Sequence, residues 1–266
     1  MAKKMKLWEE FKMEHGETIK LQIGALSVWI KHRGEEYLFT YAYGDDNNGL
    51  SVTTLKTSDT VPDDLTWSRY IVQDSSIKFQ LVPVLPDRAV VVNPEFPVTL
   101  APNSDVLFFM SIPLWVKILS GNNKMVEFLE IPSQVLSNTW FGDSMTGELC
   151  YALMTRALIN VEEHGVQPQR IVCPVRILNK ELNAFDFQRL CVHVEHMKVY
   201  SGTRHLWSNE VTITYKGNEQ PSEVRYIDRV PKYEKNCVLL SLERQPAQKR
   251  IISRSFSLLK SFTTFD

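Results

Sequence analysis

Ile19, Leu21 and Ile23 alternate with polar residues, and Leu26, Val28 and Ile30 carry the same period onward. A period of two sends successive side chains to opposite faces of an extended backbone, so this stretch reads as half-buried strand. Apolar runs of strand length recur at residues 37–43, 50–56, 67–73, 77–85, 88–92, 106–112, 114–119 and 125–131. They continue at 148–160, 171–178, 187–200, 210–215 and 237–243. Turn residues such as Pro86-Asp87, Gly121-Asn122-Asn123 and Ser201-Gly202 separate them, at the spacing of roughly 8–12 residues that marks a sandwich or barrel. No amphipathic helix of domain size interrupts the series between Gly16 and Gln245, which argues against β-α-β units. Ala152, Leu153 and Met154 are good helix formers, yet their neighbours on both sides are strand-like, so residues 148–160 are read as strand. Pro83 sits inside an apolar run and places that strand at an edge or bulge. The expected fold is all-β, with two antiparallel sandwich-like halves at residues 19–135 and 136–245.

Helical spacing is confined to the termini. Leu7, Trp8 and Phe11 predict a short amphipathic helix within the N-terminal segment, residues 1–18. Ile252, Phe256, Leu259 and Phe262 form one apolar stripe of a C-terminal helix in the tail, residues 246–266. In that tail Lys249, Arg250, Arg254 and Lys260 against Asp266 give a local charge of +3, while the whole chain of 266 residues carries −1. The near-zero total therefore hides an acidic body of −4 joined to a basic, apolar end. The near-zero charge of the whole chain argues against a whole-protein nucleic-acid footprint. A basic amphipathic tail suits a protein groove or an anionic membrane surface.

The N-terminus is charged throughout and lacks the apolar stretch of a secretory signal, so the chain reads as cytoplasmic. Its four cysteines, Cys150, Cys173, Cys191 and Cys237, contain no C-x-x-C and are expected as thiols. Phosphate-cradling glycine loops are absent and no cofactor is expected. The acid pairs Asp45-Asp46 and Asp63-Asp64 fall in polar loops and read as turn residues.

Two stretches bear on chemistry. Phe141-Gly142-Asp143-Ser144 resembles the nucleophile block of the GDSL hydrolases, but the D-x-x-H that supplies their base is missing. The competing reading is a glycine-bounded loop in which Asp143 and Ser144 bond their own backbone. Cys191, His193 and Glu195 alternate along a strand and would share one face; all three are zinc-type ligands. One strand face rarely completes a tetrahedron and no partner pair is evident elsewhere, so no metal is assigned.

Residues 93–113, the run from Thr139 to Tyr151, and Val175-Arg-Ile-Leu-Asn179 together resemble the uncharacterised prokaryotic family catalogued as domain of unknown function 432. The most specific part is an aromatic-Gly pair, a second Gly and a Cys, here Phe141, Gly142, Gly147 and Cys150. The resemblance covers residues 20–245 and brings no catalytic residue with it. Through gene neighbourhood it implies an accessory role beside small-conductance mechanosensitive channels, whose cytoplasmic part is then the protein partner. The loop itself, with Trp140 and Phe141 as anchors and Asp143, Thr146 and Glu148 projecting from a base set by Gly142 and Gly147, has the character of a binding loop. The expected function is a non-enzymatic interaction protein that binds through this loop and through Lys249, Arg250, Arg254, Phe256, Leu259 and Phe262 of the tail. The alternative is a hydrolase or small-molecule binder working from residues 140–150 with Asp143, Ser144 and a nearby histidine.

Overall fold

The computed structural model describes residues 7–44, 53–57, 61–72, 77–94, 97–122, 124–155, 158–217, 220–247, 251–253 and 255–258. They form four mainly antiparallel sheets, one of them curled into a half-barrel, with 3-10 turns at Val161–His164 and Val194–His196 and no α-helix. No helix among them is long and apolar enough to cross a membrane.

The chain divides into two compact units, each visited more than once: residues 1–84, 113–135 and 166–169 make the first, and residues 85–112, 136–165 and 170–266 the second. The first unit holds β1 (Phe11–Lys12), β2 (Thr18–Ile23), β3 (Leu26–Arg33), β4 (Glu36–Tyr43), β5 (Thr53–Thr57), β6 (Ser68–Ile71), β7 (Lys78–Val84), β11 (Trp115–Gly121) and β12 (Val126–Pro132). One sheet runs β5-β2-β3-β4-β6 and the other β1-β7-β11-β12. Alternation in β2 is realised as read: Ile19, Leu21 and Ile23 are fully buried between half-exposed neighbours. Gly34 turns β3 into β4 with φ +64°, a left-handed conformation that glycine adopts without steric cost, and Arg33 then faces Glu36 across a two-residue hairpin. Aromatic side chains join the two sheets. Phe79 of β7 meets Tyr37 and Phe39 of β4 at ring separations of 4.8 and 6.2 Å, and Phe128 of β12 stacks on Tyr70 of β6 at 5.1 Å. Pro83 pairs with Val116 of β11, while β1 reaches β7 only at Lys78 and Phe79, so the proline lies where its strand needs one partner.

The second unit holds β8 (Val90–Asn93), β9 (Val98–Leu100), β10 (Asp105–Pro113), β13 (Ser137–Phe141), β14 (Glu148–Met154), β15 (Arg170–Asn179), β16 (Phe185–Val192), β17 (Val199–Ser201), β18 (Leu206–Ser208), β19 (Val211–Tyr215), β20 (Ser222–Tyr226), β21 (Val238–Ser241), β22 (Ile251–Ser253) and β23 (Phe256–Leu258). Its larger sheet runs β21-β17-β18-β15-β19-β20-β22 with β10 beside β15, and its smaller one runs β13-β14-β8-β16-β23 with β9 beside β16. Residues 148–154 are strand, because β14 finds β13 on one side and β8 on the other.

Both terminal helices are corrected. At the N-terminus β1 pairs with β7, and Phe11 stacks on Phe79 at 5.9 Å. At the C-terminus β22 adds to β20, and β23 adds to β16. The apolar residues of the tail had a helical spacing, but two open sheet edges offered backbone partners that an isolated helix this rich in Ser and Thr lacks. Phe256 is half-buried against Phe185, Phe187 and Tyr215 rather than displayed on a helix face.

Candidate functional site

The hairpin of β13 and β14 presents the loop singled out by sequence, and that loop spends its polar groups on itself. The Asp143 carboxylate accepts from the backbone N–H of Met145 (3.1 Å) and Thr146 (2.8 Å) and from the Thr146 hydroxyl (2.6 Å). The Asp143 carbonyl accepts from Trp140 Nε1 (2.9 Å) and the Gly147 N–H (2.9 Å). Gly142 sits at φ +104°, and a Cβ on Gly147 would lie 2.4 Å from Trp140 Nε1 and 2.6 Å from the Asp143 carbonyl, so only glycine allows the fold-back. This is an Asx-type turn, with Asp143 bound into its own backbone. Phe141 anchors the loop, being buried, but Trp140 is half exposed and lies over the turn instead of reaching the core.

Immediately after the loop the chemistry changes. Period-two geometry puts Glu148 and Cys150 on one face of β14, and Cys191 and His193 on one face at the end of β16. β8 lies between these strands and contributes Val91, with Ala89 just before it. Ala89, Val91, Phe141, Cys150 and Cys191 form one buried cluster, and the small Ala89 leaves room for side chains to meet above the middle strand.

They do meet. Cys150 Sγ is 3.9 Å from Cys191 Sγ, Cys191 Sγ is 3.9 Å from Glu148 Oε1, and His193 Nε2 is 3.2 Å from Glu148 Oε1. On its other side His193 Nδ1 is 3.2 Å from Glu195 Oε1. The Tyr226 hydroxyl donates to the His193 carbonyl at 2.9 Å and fixes the backbone there. Arg189, two residues before Cys191, donates to Thr139 Oγ1 at 3.0 Å and lies over the Phe141 ring, closing the apolar end of the face.

The charges follow from these contacts. Burial works against an imidazolium at His193, but Glu148 and Glu195 outweigh it and raise its pKa to about 10. The same contact with His193 holds Glu148 below the usual carboxylate range against the opposing effect of burial. Of the two thiols, Cys150 is the easier to ionise, stabilised by a hydrogen bond with Cys191. Cys191 is pushed up by that partner, by burial and by Glu148, so the pair takes one negative charge far more readily than two. One imidazolium thus faces two carboxylates, and Glu195 Oε2 is buried with no hydrogen-bond partner among the described residues.

Geometry separates two uses of the thiol pair. Cys150 and Cys191 stand on strands with β8 between them, so two strand spacings put their Cα atoms about 9 Å apart. A disulfide needs a Cα separation of roughly 4.4–6.8 Å and cannot form without moving backbone. Two thiolates on one tetrahedral zinc, at about 2.3 Å each, are about 3.8 Å apart, which matches the observed sulfur separation. Glu148, Cys150 and Cys191 place their donor atoms within 4.8 Å of one another. The missing partner pair for the Cys191-His193-Glu195 stretch is therefore Glu148 and Cys150, both on β14. The signal in the sequence was the family-shared Cys150, two positions from an acid, but its distance of 41 residues from Cys191 hid the pairing.

Of the other residues singled out, Asp143, Thr146, Gly142 and Gly147 build the turn beside Glu148, and Phe256 packs inside the second unit. Lys249, Arg250, Arg254, Leu259 and Phe262 lie outside the described residues.

Residues 7–260 match the profile of a family described as "Protein of unknown function (DUF432)", so the match takes in both terminal strands of the fold as well as the centre. No curated protein matches the chain, and no solved structure does.

Proposed function

The chain belongs to the DUF432 family, and on the chemistry of its buried centre we propose that it is a metal-binding protein, taking one transition metal ion of the zinc class on Glu148, Cys150 and Cys191. One observation carries the reading: the Glu148 carboxylate and Cys150 thiol of β14 and the Cys191 thiol of β16 converge within 4.8 Å beside the buried side chains of Ala89, Val91 and Phe141. Two sulfurs with one oxygen select a borderline-soft cation and disfavour magnesium or calcium, which want an all-oxygen shell. His193 acts as the outer partner that orients the Glu148 carboxylate, with Glu195 behind it. Three protein donors leave a fourth position for an outside ligand.

The test is elemental analysis of the purified full chain, followed by cobalt substitution of the metal-free protein. About one equivalent of zinc and a thiolate-to-cobalt absorption band are expected, both lost in Cys150→Ser and Cys191→Ser. Equal metal content in those folded variants sinks the reading.

A second reading, partner binding by strand addition, draws support from β21. This strand is last in its sheet, and Val238, Leu239 and the following Leu242 are exposed at 60, 46 and 64%. An apolar edge of this kind is a template for an extended peptide. Cross-linking in the native cell with the wild type and Leu239→Lys tests it: a protein captured by the first and lost from the second supports the edge, and equal capture overturns it.

A further inference from the structure

We infer that β23, together with residues 244–247, is a strap along the β16 edge of the thiol–carboxylate centre, and that metal occupancy and docking of the strap are coupled. This rests on the reading of Glu148, Cys150 and Cys191 as metal ligands. The stretch from Leu190 to His196 carries Cys191, His193 and Glu195, and residues 244–245 and 255–256 hold its backbone at the two ends. At one end the Cys191 N–H donates to the Ser255 carbonyl at 2.8 Å, and Leu190 pairs with Phe256 of β23. At the other, the Glu195 carbonyl accepts from the N–H of Arg244 (2.9 Å) and Gln245 (3.1 Å), and His196 Nδ1 lies 2.9 Å from the Gln245 carbonyl. Phe256 is the apolar peg of the strap, set against Phe185, Phe187 and Tyr215 at ring separations of 5.1 to 6.0 Å.

The physical consequence runs both ways. With β23 lifted, β16 becomes an edge strand along Leu190 and Cys191, and the Cys191 N–H loses its acceptor. The end of β16 then moves relative to β14, and the donor atoms no longer converge. Conversely, a metal ion tying Cys191 to Glu148 and Cys150 fixes the end of β16 in the position that β23 needs for pairing. Binding free energies coupled in this way are reciprocal: if the strap strengthens metal binding, the metal holds down the strap by the same factor. A metal-loaded chain keeps residues 255–258 on β16, and a metal-free chain releases them more often.

Hydrogen exchange read by mass spectrometry on the full wild-type chain tests this, with one equivalent of zinc sulfate in one sample and a chelator in the other. Zinc is expected to slow exchange in residues 255–258 by about tenfold, toward the lower end of the usual coupling range. Slowing confined to peptides around Glu148–Cys150 and Cys191–His193 overturns the coupling and leaves the metal site standing. No slowing anywhere, with no zinc retained on elemental analysis, overturns the metal site itself. As a second arm, Phe256→Ala in the full chain is expected to weaken zinc binding by about tenfold. A folded Phe256→Ala chain with wild-type zinc affinity refutes the strap, and the wild-type exchange experiment decides even if that variant fails to fold.

Discussion

Oxidation of the metal-free protein discriminates sharply between a disulfide pair and a metal pair. Cys150 and Cys191 have sulfurs 3.9 Å apart, a distance that invites the assignment of a reducible bridge. Closing that bridge requires the Cα atoms to approach by about 2–3 Å, from two strand spacings to the disulfide range. The obstacle is β8, whose Val90, Val91 and Val92 are fully buried and which pairs with β14 over four residues and with β16 over three. Displacing it exposes side chains worth about 1.5–3 kcal/mol each and breaks several hydrogen bonds worth about 1 kcal/mol each, roughly 10 kcal/mol in all. Tying off a loop of about 40 residues returns about 4 kcal/mol through lost chain entropy. The cost exceeds the gain, so the thiols stay apart. The assay is thiol counting with mass-spectrometric peptide mapping after the chelated, native chain is exposed to a diamide oxidant. No Cys150–Cys191 bridge is expected under native conditions. Its rapid and complete formation, with the sheet still folded by circular dichroism, refutes the strand-spacing reasoning.

Three further outcomes follow from the same contacts. Ala89→Leu places a branched side chain between Cys150 and His193; it is expected to abolish zinc retention on elemental analysis while costing about 1–3 kcal/mol in denaturant unfolding, as overpacking does. Phe79→Ala, which removes a fully buried ring touching Phe11, Tyr37 and Phe39, is expected to destabilise the first unit by about 3–5 kcal/mol and leave zinc binding in the second unchanged. At Glu234, burial disfavours the carboxylate, but hydrogen bonds from Thr203, Trp207 (Nε1, 2.6 Å) and the N–H groups of Arg204 and His205 outweigh it and hold the pKa below the usual carboxylate value of 4.5. A depressed native pKa contributes stability that is present above the unfolded value and lost as pH falls through the native one. The Trp207 indole N–H signal is therefore expected to shift on acidification below about pH 4.5, and Glu234→Gln to flatten the acid limb of stability. An acid limb identical in the two proteins contradicts the assignment.

The strands of this protein were legible because each buried face writes itself into the chain at a period of two. Ile19, Leu21 and Ile23 needed no partner to be recognised. The strand at residues 148–154 was legible, within the stretch 148–160, only through its strand-like neighbours, since Ala152, Leu153 and Met154 are themselves helix formers. The loop between Phe141 and Glu148 could be read as a self-bonded turn because Asx and glycine geometry acts within a few residues.

What stayed hidden depends on partners distant in the chain. The tail carries a helical apolar spacing, yet Ile251–Ser253 and Phe256–Leu258 within it are strand, because the open edges of β20 and β16 supply backbone partners that no local pattern announces. Cys191, His193 and Glu195 lacked visible partners in the sequence because the groups that meet Cys191 and His193, Glu148 and Cys150, stand across β8 on β14. Local periodicity determines which residues face inward. Which inward-facing residues touch depends on strand order, and strand order is set by the packing of the whole sheet, at separations of dozens of residues. The polar composition of the centre was therefore written in the sequence from the start, while its convergence within 4.8 Å came from the fold alone.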